Sequence, residues 1–430
     1  MRYGPRMLQG SLYQGYLYSY PHKLAYRALP PRTLRDVWRV EERKALSLYA
    51  HVPFCEMRCG FCNLFTTAQP PTPLVDRWLD AWERALHATI DALPDATFTD
   101  FAIGGGTPTW LSVEELSRVL DGFARFGADL KAIPGSVEVS PTTVTSEHAA
   151  MLVERGVTRL SMGIQSLDAQ EVAAVLRPQA ESDVAAAVRA MQDAKIENLN
   201  LDLMYGLPGQ STASFVDSID RILDWQPEEI FLYPLYVRPK TGLFRHGGSA
   251  EDEARLALYR AGRDRLLEAG YEQRSMRLFA SPTATSNPSD FADPDRNLVG
   301  VGVGARSYTS SLHFSSRYAV RNAGVRAILD AWMAADPAAV DWGIALTTAE
   351  RRRRAVILRL LDARGIDRAV HGSDPFDEVP ALTQLLDHEL ATWDGQVLRL
   401  TAAGLERSDQ IGPWLISTDI RGRMNAAEVQ

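Results

Sequence analysis

A strand candidate followed by a helix candidate recurs six times in this chain. The strands read at 46–52, 100–104, 136–140, 159–165, 199–205 and 229–237. Stretches of helical period lie between them, at 74–93, 113–126, 147–155, up to 194, and 213–225. Pro94 stops the first helix, and Ser112 is placed to cap the second. Strands that each return through a helix pair in parallel, with the helices outside. The fold class expected is therefore α/β, and periodicity leaves open whether the sheet is open or curled.

The only three cysteines of the 430 residues follow the first strand, as Cys55, Cys59 and Cys62. Such spacing does not suit scattered core residues. A disulfide framework wants an even count and an oxidising compartment. A structural zinc site wants a fourth Cys or His at finger-like spacing, and only His51 lies nearby. Soft thiolates on one short loop suit the irons of a [4Fe-4S] cube, and three of them leave one iron open.

Cys-x3-Cys-x2-Cys, with Phe61 before the last cysteine, resembles the signature of the radical S-adenosylmethionine (SAM) enzymes. The flanks narrow the resemblance. Tyr49-x-His51-x-Pro53-Phe54 precedes the cysteines. Gly104-Gly105-Gly106-Thr107-Pro108-Thr109, Glu138, Gln165, Arg177 and the run from Asp202 to Gly209 follow in order. This series is similar to the branch of oxygen-independent coproporphyrinogen III oxidase over residues 45–310.

The resemblance implies a partial (β/α)6 TIM-like barrel with a small C-terminal helical, winged-helix-like domain. It implies a [4Fe-4S] cluster on Cys55, Cys59 and Cys62. SAM would bind through Tyr49, Phe61, Gly105, Gly106, Thr107, Glu138, Gln165, Arg177 and Asp202, with Tyr49 near the sulfonium and Phe61 over the adenine. The glycines would present backbone N–H and C=O groups to the methionyl end. Glu138 would meet a ribose hydroxyl or the amino group, Arg177 the carboxylate, and Gln165 and Asp202 the ribose hydroxyls. In barrels of this kind the chemistry sits at the C-terminal strand ends, where most of these residues fall.

The branch also implies reductive cleavage of SAM to a 5'-deoxyadenosyl radical, a flavodoxin- or ferredoxin-type electron donor, and two SAM molecules. The expected activity is methylation or cyclopropanation of an sp2 carbon of a planar unsaturated small molecule, with the second SAM as donor. A tetrapyrrole-directed redox enzyme (porphyrinogen decarboxylation or heme ring opening) and a heme-binding chaperone are the alternatives. True coproporphyrinogen oxidases carry a further cysteine two residues after the third. Leu64 stands there in this chain, which weakens the decarboxylase reading. Tyr233, Tyr236 and Arg238 are candidate substrate contacts, by stacking and charge pairing. The bland reading makes two of the three core aromatics or a structural ion pair.

Four segments are expected: an N-terminal extension on or over the barrel (1–44), the barrel (45–240), a barrel-completing and substrate-covering segment (241–340), and the C-terminal domain (341–430). Residues 1–44 hold nine Lys or Arg, three acids and six tyrosines, Tyr3 among them. They suit either a wrapping arm or a lid offering cations to an anionic substrate. A helix is expected at 34–45, and the polar stretch 276–295 is expected to close over substrate. The net charge of −8 argues against nucleic acid as a partner. There is no apolar run of membrane-spanning length and no signal-peptide core at the N-terminus, so a cytoplasmic setting is expected.

Overall fold

In a computed structural model of the protein, residues 9–177, 179–245, 250–285 and 293–427 are described. Tyr3 and residues 286–292 of the expected covering stretch lie outside them.

The described chain opens with strand β1 (Arg27–Thr33) and helix α1 (Leu34–Trp38). Strand β2 (Leu46–Val52) leads into a loop tied by the two-residue strands β3 (Phe54–Cys55) and β4 (Thr67–Ala68). Then come α2 (Thr72–Ala92), β5 (Phe98–Gly105), α3 (Val113–Arg125), β6 (Gly135–Val139) and α4 (Ser146–Glu154). Strand β7 (Arg159–Gln165), α5 (Ala169–Ala174), α6 (Glu181–Asp193), β8 (Asn198–Tyr205), α7 (Thr212–Leu223), β9 (Glu229–Pro234) and α8 (Asp252–Glu268) follow. The sheet is extended by β10 (Glu272–Gln273), β11 (Leu278–Ala280), β12 (Leu298–Val301), β13 (Arg306–Tyr308), β14 (Leu312–Ser315) and, after α9 (Asn322–Ala334), β15 (Ala339–Ala345).

Strands β2, β5, β6, β7, β8 and β9 are parallel neighbours in that order. This run does not close on itself. The outer edge of β2 pairs with β12 and that of β9 with β11, so a 13-stranded sheet runs from β1 to β10. Six β/α units in sequence order, left unclosed, make a partial barrel with flanking strands.

The two sheet faces differ in chemistry. In β8, Leu199, Leu201 and Leu203 are buried in the main apolar core with residues of the surrounding helices. Alternate residues make polar contacts across the other face. Asn200 Nδ2 donates to Ser161 Oγ at 2.8 Å. Arg159 donates to Glu229 Oε2 at 2.8 Å and to Ser136 Oγ at 3.1 Å. A parallel strand covered by apolar packing on both faces would be apolar throughout. The alternation in β8 marks an inner face built for polar contents.

Three expectations are altered. The helix foreseen at 34–45 ends at Trp38. Buried Glu41 accepts from Thr309 Oγ1 (2.9 Å), Ser310 N (3.0 Å), Ser310 Oγ (2.7 Å) and Ser311 N (3.0 Å), and this tertiary contact overrides local helix propensity. Residues 27–33, foreseen within a covering extension, form an edge strand on β15. β15 itself belongs to the large sheet, so the C-terminal unit begins with α10 (Thr348–Leu360).

That unit packs helices around a three-stranded sheet of β16 (Ile366–Asp367), β17 (Ala391–Trp393) and β18 (Val397–Leu400). Its apolar core includes Leu17, Tyr20, Ala25 and Tyr26 from the N-terminal segment. Tyr13 of the same segment packs in the barrel core, so the segment bridges both. Among the described residues no helix is long and apolar enough to cross a membrane.

Candidate active site at the barrel mouth

The cysteine loop is pinned at the carboxyl ends of the strands. Gly60 N donates to Val175 O, Leu243 N donates to Gly60 O, both at 2.8 Å, and Cys62 N donates to Cys59 O at 3.0 Å. Cys55 Sγ lies 3.1 Å from Thr66 Oγ1 and 3.6 Å from Thr107 Oγ1. Cys59 Sγ accepts from Arg177 Nη1 at 3.2 Å. Burial raises the Cys55 thiol and pushes that of Cys62 up to about 12. Thiolates here therefore need metal or donors beside them.

Among the described residues no three Cys, His, Asp or Glu side chains gather around a single ion's position. Three soft sulfurs on one loop, two of them with hydroxyl or guanidinium neighbours, fit the separate irons of a cluster better than one zinc.

His51 organises the adjoining loops. Its Nε2 donates to Phe65 O at 2.8 Å, since a carbonyl can only accept, and its Nδ1 faces Tyr49 OH at 3.3 Å. Burial lowers its pKa to about 4, so the ring is neutral. Two glycines clasp it. A Cβ on Gly105 (φ +119°) or on Gly304 (φ +85°) would lie 2.6 Å from a ring carbon. One glycine of each run is thus explained by one imidazole, while Gly104 makes room for Glu138, Gly106 for the Phe54 carbonyl and Gly302 for Trp82.

The expected ligand-facing amides are engaged within the protein. Gly105 N donates to Glu138 Oε2 at 2.9 Å, Gly106 N to Val52 O at 2.7 Å and Thr107 N to Phe54 O at 2.6 Å. Gly105 and Gly106 are left with carbonyls, rather than free N–H groups, to offer a ligand, whereas the Thr107 carbonyl accepts from Trp110 N at 2.9 Å.

Glu138 keeps accessible surface, although protein atoms crowd around its carboxyl group. This crowding dominates its solvation. Its pKa is raised to about 7 by burial, against the Gly105 hydrogen bond, with Asp202 adding repulsion. Asp202 is raised to about 6 by burial, although it accepts from Asn200 Nδ2 at 2.7 Å. Gln165 ends β7 at φ +66°, a left-handed conformation uncommon for a side-chain-bearing residue. Arg177 reaches Gln179 Oε1 (3.0 Å) and Gly163 O (2.5 Å) as well as Cys59. Phe61 packs with Tyr233 and Val237 against Val175, Met204 and Leu243.

The three expected substrate residues separate. Tyr233 stacks on Phe231 (5.6 Å, 14°) and meets the edge of Tyr16 at 6.2 Å. Tyr236 instead hydrogen-bonds to Asp409 of the C-terminal unit and accepts from Arg277 at 2.8 Å. Arg238 donates to Gln14 O at 3.1 Å and lies 4.6 Å over the Tyr236 ring. These two tie the joint between segments, and the bland reading describes them. A cavity of about 580 Å3 runs beside β9 toward the C-terminal unit, lined by Tyr16, Tyr18, Phe231, Arg277 and Asp409 but by no cysteine. Thr66, Gln179 and Phe231 carried no motif that would have marked them in advance.

The Radical SAM superfamily matches residues 49–222. The chain is 31% identical over 275 residues to the heme chaperone HemW of Bacillus subtilis, covering 61% of this chain and 70% of that one. It is a radical SAM protein of the coproporphyrinogen oxidase and heme chaperone branch. The oxygen-independent coproporphyrinogen III oxidase of Paracoccus denitrificans is 29% identical over 289 residues, covering 61% of this chain and 62% of the oxidase, less than two thirds of that relative's length. Coproporphyrinogen III oxidase (HemN) from Escherichia coli has the same fold, with a TM-score of 0.80 at 23% identity over 93% of this chain and 96% of that one. The fold is thus the partial TIM-like barrel of radical SAM proteins with an added helical region.

As a radical SAM protein the chain carries the catalytic domain of a superfamily that generally uses a [4Fe-4S] cluster and SAM. The methylating or cyclopropanating activity is corrected by these relatives, which are named for coproporphyrinogen oxidation and for heme handling. The sequence features used for that reading, a SAM-binding rim and Leu64 in place of a cysteine, do not select methyl transfer over the chemistry of the branch.

Proposed function

We propose that this radical SAM protein acts on a tetrapyrrole at the barrel mouth, as a redox enzyme. The observation that carries this reading is the Phe231–Tyr233 stack beside Asp202, which pairs with Phe231 across β8 and β9, a flat aromatic tier next to the rim of expected SAM-facing residues.

Cys55, Cys59 and Cys62 would hold the cluster. When bound, cluster and SAM supply one-electron cleavage of the sulfonium and a carbon-centred oxidant able to remove a hydrogen atom. The chain's own residues orient and shield. Arg177 and Thr107 would donate to ligand sulfurs. Glu138 and Asp202 would ionise against a cationic ligand, and Tyr49, Phe61, Gln165 and the carbonyls of Gly105 and Gly106 would line its seat. Tyr16 and Tyr18 would restrict water at the entrance.

A second SAM at the same rim is the finer cofactor reading, with Asp202 the carboxyl to offset its sulfonium. A flavodoxin- or ferredoxin-type donor would deliver the electron, in a cytoplasmic setting.

A heme chaperone is the second reading, favoured by Leu64 at the position of the oxidases' further cysteine and by the kinship to HemW. The test is anaerobic SAM cleavage with and without coproporphyrinogen III. Stimulated 5'-deoxyadenosine release supports the enzyme. Stoichiometric heme binding without stimulation favours the chaperone.

A further inference from the structure

The N-terminal segment brings cations to the barrel mouth without bringing acids to match. Lys23 Nζ lies 3.4 Å over the Tyr318 ring, whose hydroxyl donates to Asn63 O, one residue beyond Cys62. Arg306, at the start of β13, donates to Tyr18 Oη at 2.6 Å and to Ser19 Oγ at 3.1 Å. Among the described residues Lys23 has no hydrogen-bond or ion-pair partner, and Arg306 has hydroxyls but no carboxylate.

Other groups lie within electrostatic reach. Lys23 is influenced by Arg306 and Cys62, and neighbouring His22 by Lys23, Arg306 and Arg238. Burial, then Arg306, holds the Lys23 ammonium well below its usual pKa, and burial lowers His22 to about 3. Tyr16 links these cations to the Phe231–Tyr233 tier, its ring 5.3 Å from that of Tyr18, to which Arg306 donates, and 6.2 Å from that of Tyr233.

Partly buried cations without a carboxylate beside them are costly, and proteins tend to pair them. The acidic groups here face a different task. Glu138 and Asp202 suit a ligand carrying positive charge, as SAM does. The cations of the N-terminal segment and β13 call for an anion of matching size.

We propose that Lys23 and Arg306 form a binding site for a carboxylate of the substrate, carried on a side arm of a flat ligand lying against the Phe231–Tyr233 tier. Only the identity of that ligand as a tetrapyrrole rests on the function proposed above. The carboxylate would accept from the Lys23 ammonium and from Arg306 N–H groups, in exchange for water. The segment would then act as a charged clasp closing over the substrate's acidic arm. Its anchoring ring, Tyr318, ties that clasp to the cysteine loop through Asn63.

The test uses the full chain with its cluster reconstituted under anaerobic conditions. Fluorescence titrations compare coproporphyrin III with its tetramethyl ester, and 1-pyrenebutyrate with 1-pyrenebutanol. The wild type is expected to prefer each acid. Lys23→Met is expected to lose at least about tenfold in affinity for the acids and to leave the neutral probes unchanged. Lys23→Arg should retain the preference, which separates charge from folding.

If coproporphyrin III binds equally to wild type and Lys23→Met, the carboxylate site is overturned while the tetrapyrrole reading stands. If no porphyrin binds, but the wild type prefers pyrenebutyrate and Lys23→Met does not, the site stands and the tetrapyrrole reading falls. If no probe shows a preference, both are overturned. A Lys23→Met change confined to the cluster's electron paramagnetic resonance signal assigns Lys23 to the cluster's charge and overturns the site.

Discussion

Arg177 donates to the sulfur of Cys59 at 3.2 Å across 118 residues of sequence. Its guanidinium also holds Gln179 and the Gly163 carbonyl. One side chain thus joins the cysteine loop to the end of β7, where Gln165 is held at positive φ.

A hydrogen bond to a ligand sulfur stabilises the more negative, reduced cluster. Arg177→Met is expected to lower the cluster potential by on the order of 60 mV, the one-electron equivalent of a charged hydrogen bond. A redox titration followed by electron paramagnetic resonance measures it. An unchanged potential would remove Arg177 from the cluster's surroundings.

Gly304→Ala places a methyl group 2.6 Å from the His51 ring and holds alanine at a φ of +85°. The combined strain and overpacking are expected to cost about 2–4 kcal/mol. Urea unfolding of the cluster-free protein gives the value. A loss under about 1 kcal/mol would show that His51 can move aside and that the clasp does not constrain the loop.

Burial pushes the Glu138 carboxyl up to about 7 and that of Asp202 up to about 6. Ordinary carboxyl groups titrate near ~4. In the folded state both keep their protons to higher pH than when unfolded. Their contribution to stability is therefore complete below the unfolded value and is lost as pH rises through about 6 and about 7. Without SAM, the thermal midpoint is expected to fall between about pH 4 and 7, and to fall less in Glu138→Gln with Asp202→Asn. Parallel pH profiles for the two proteins would contradict this.

Arg277 and Asp409 form a buried ion pair at 2.6 Å, with side-chain exposures of 2% and 1%. Arg277 also lies 3.9 Å over the Tyr16 ring. Asp409→Ala strands the guanidinium and is expected to cost about 3–5 kcal/mol. Limited proteolysis should then cut within the N-terminal segment, which the joint holds in place. Wild-type stability and cleavage pattern would show that the C-terminal unit does not fix that segment.

The parts of the molecule legible in advance are those coded by local period. β8 alternates Asn and Asp with Leu because one face lines a polar interior, and Ser112 accepts from Glu115 N at 3.2 Å at the start of α3, as its position before the apolar run suggests. The cysteine loop was legible because three thiols in eight residues have few other uses.

What was not legible depends on distant partners. Glu41 ends a helix early for the sake of three residues near position 310. Tyr236 resembles a substrate contact until Asp409, 173 residues away, takes its hydroxyl. The glycines at the end of β5 read as a ligand cradle, because nothing local shows that Glu138, His51 and the Phe54 carbonyl fill the space beside Gly104, Gly105 and Gly106. Strands as short as β13 and β14 carry too little period to announce that the sheet continues beyond the barrel.

The central claim, that a tetrapyrrole is the partner of this barrel, is tested most directly by following two quantities in one anaerobic reaction. Reduced, cluster-loaded protein is given SAM and coproporphyrinogen III, and 5'-deoxyadenosine and the remaining porphyrinogen are measured together. The account predicts that the porphyrinogen accelerates SAM cleavage and is consumed in proportion to the 5'-deoxyadenosine formed. Slow cleavage at the same rate with or without it, with the porphyrinogen recovered unchanged and heme left unbound by the same preparation, would contradict the account.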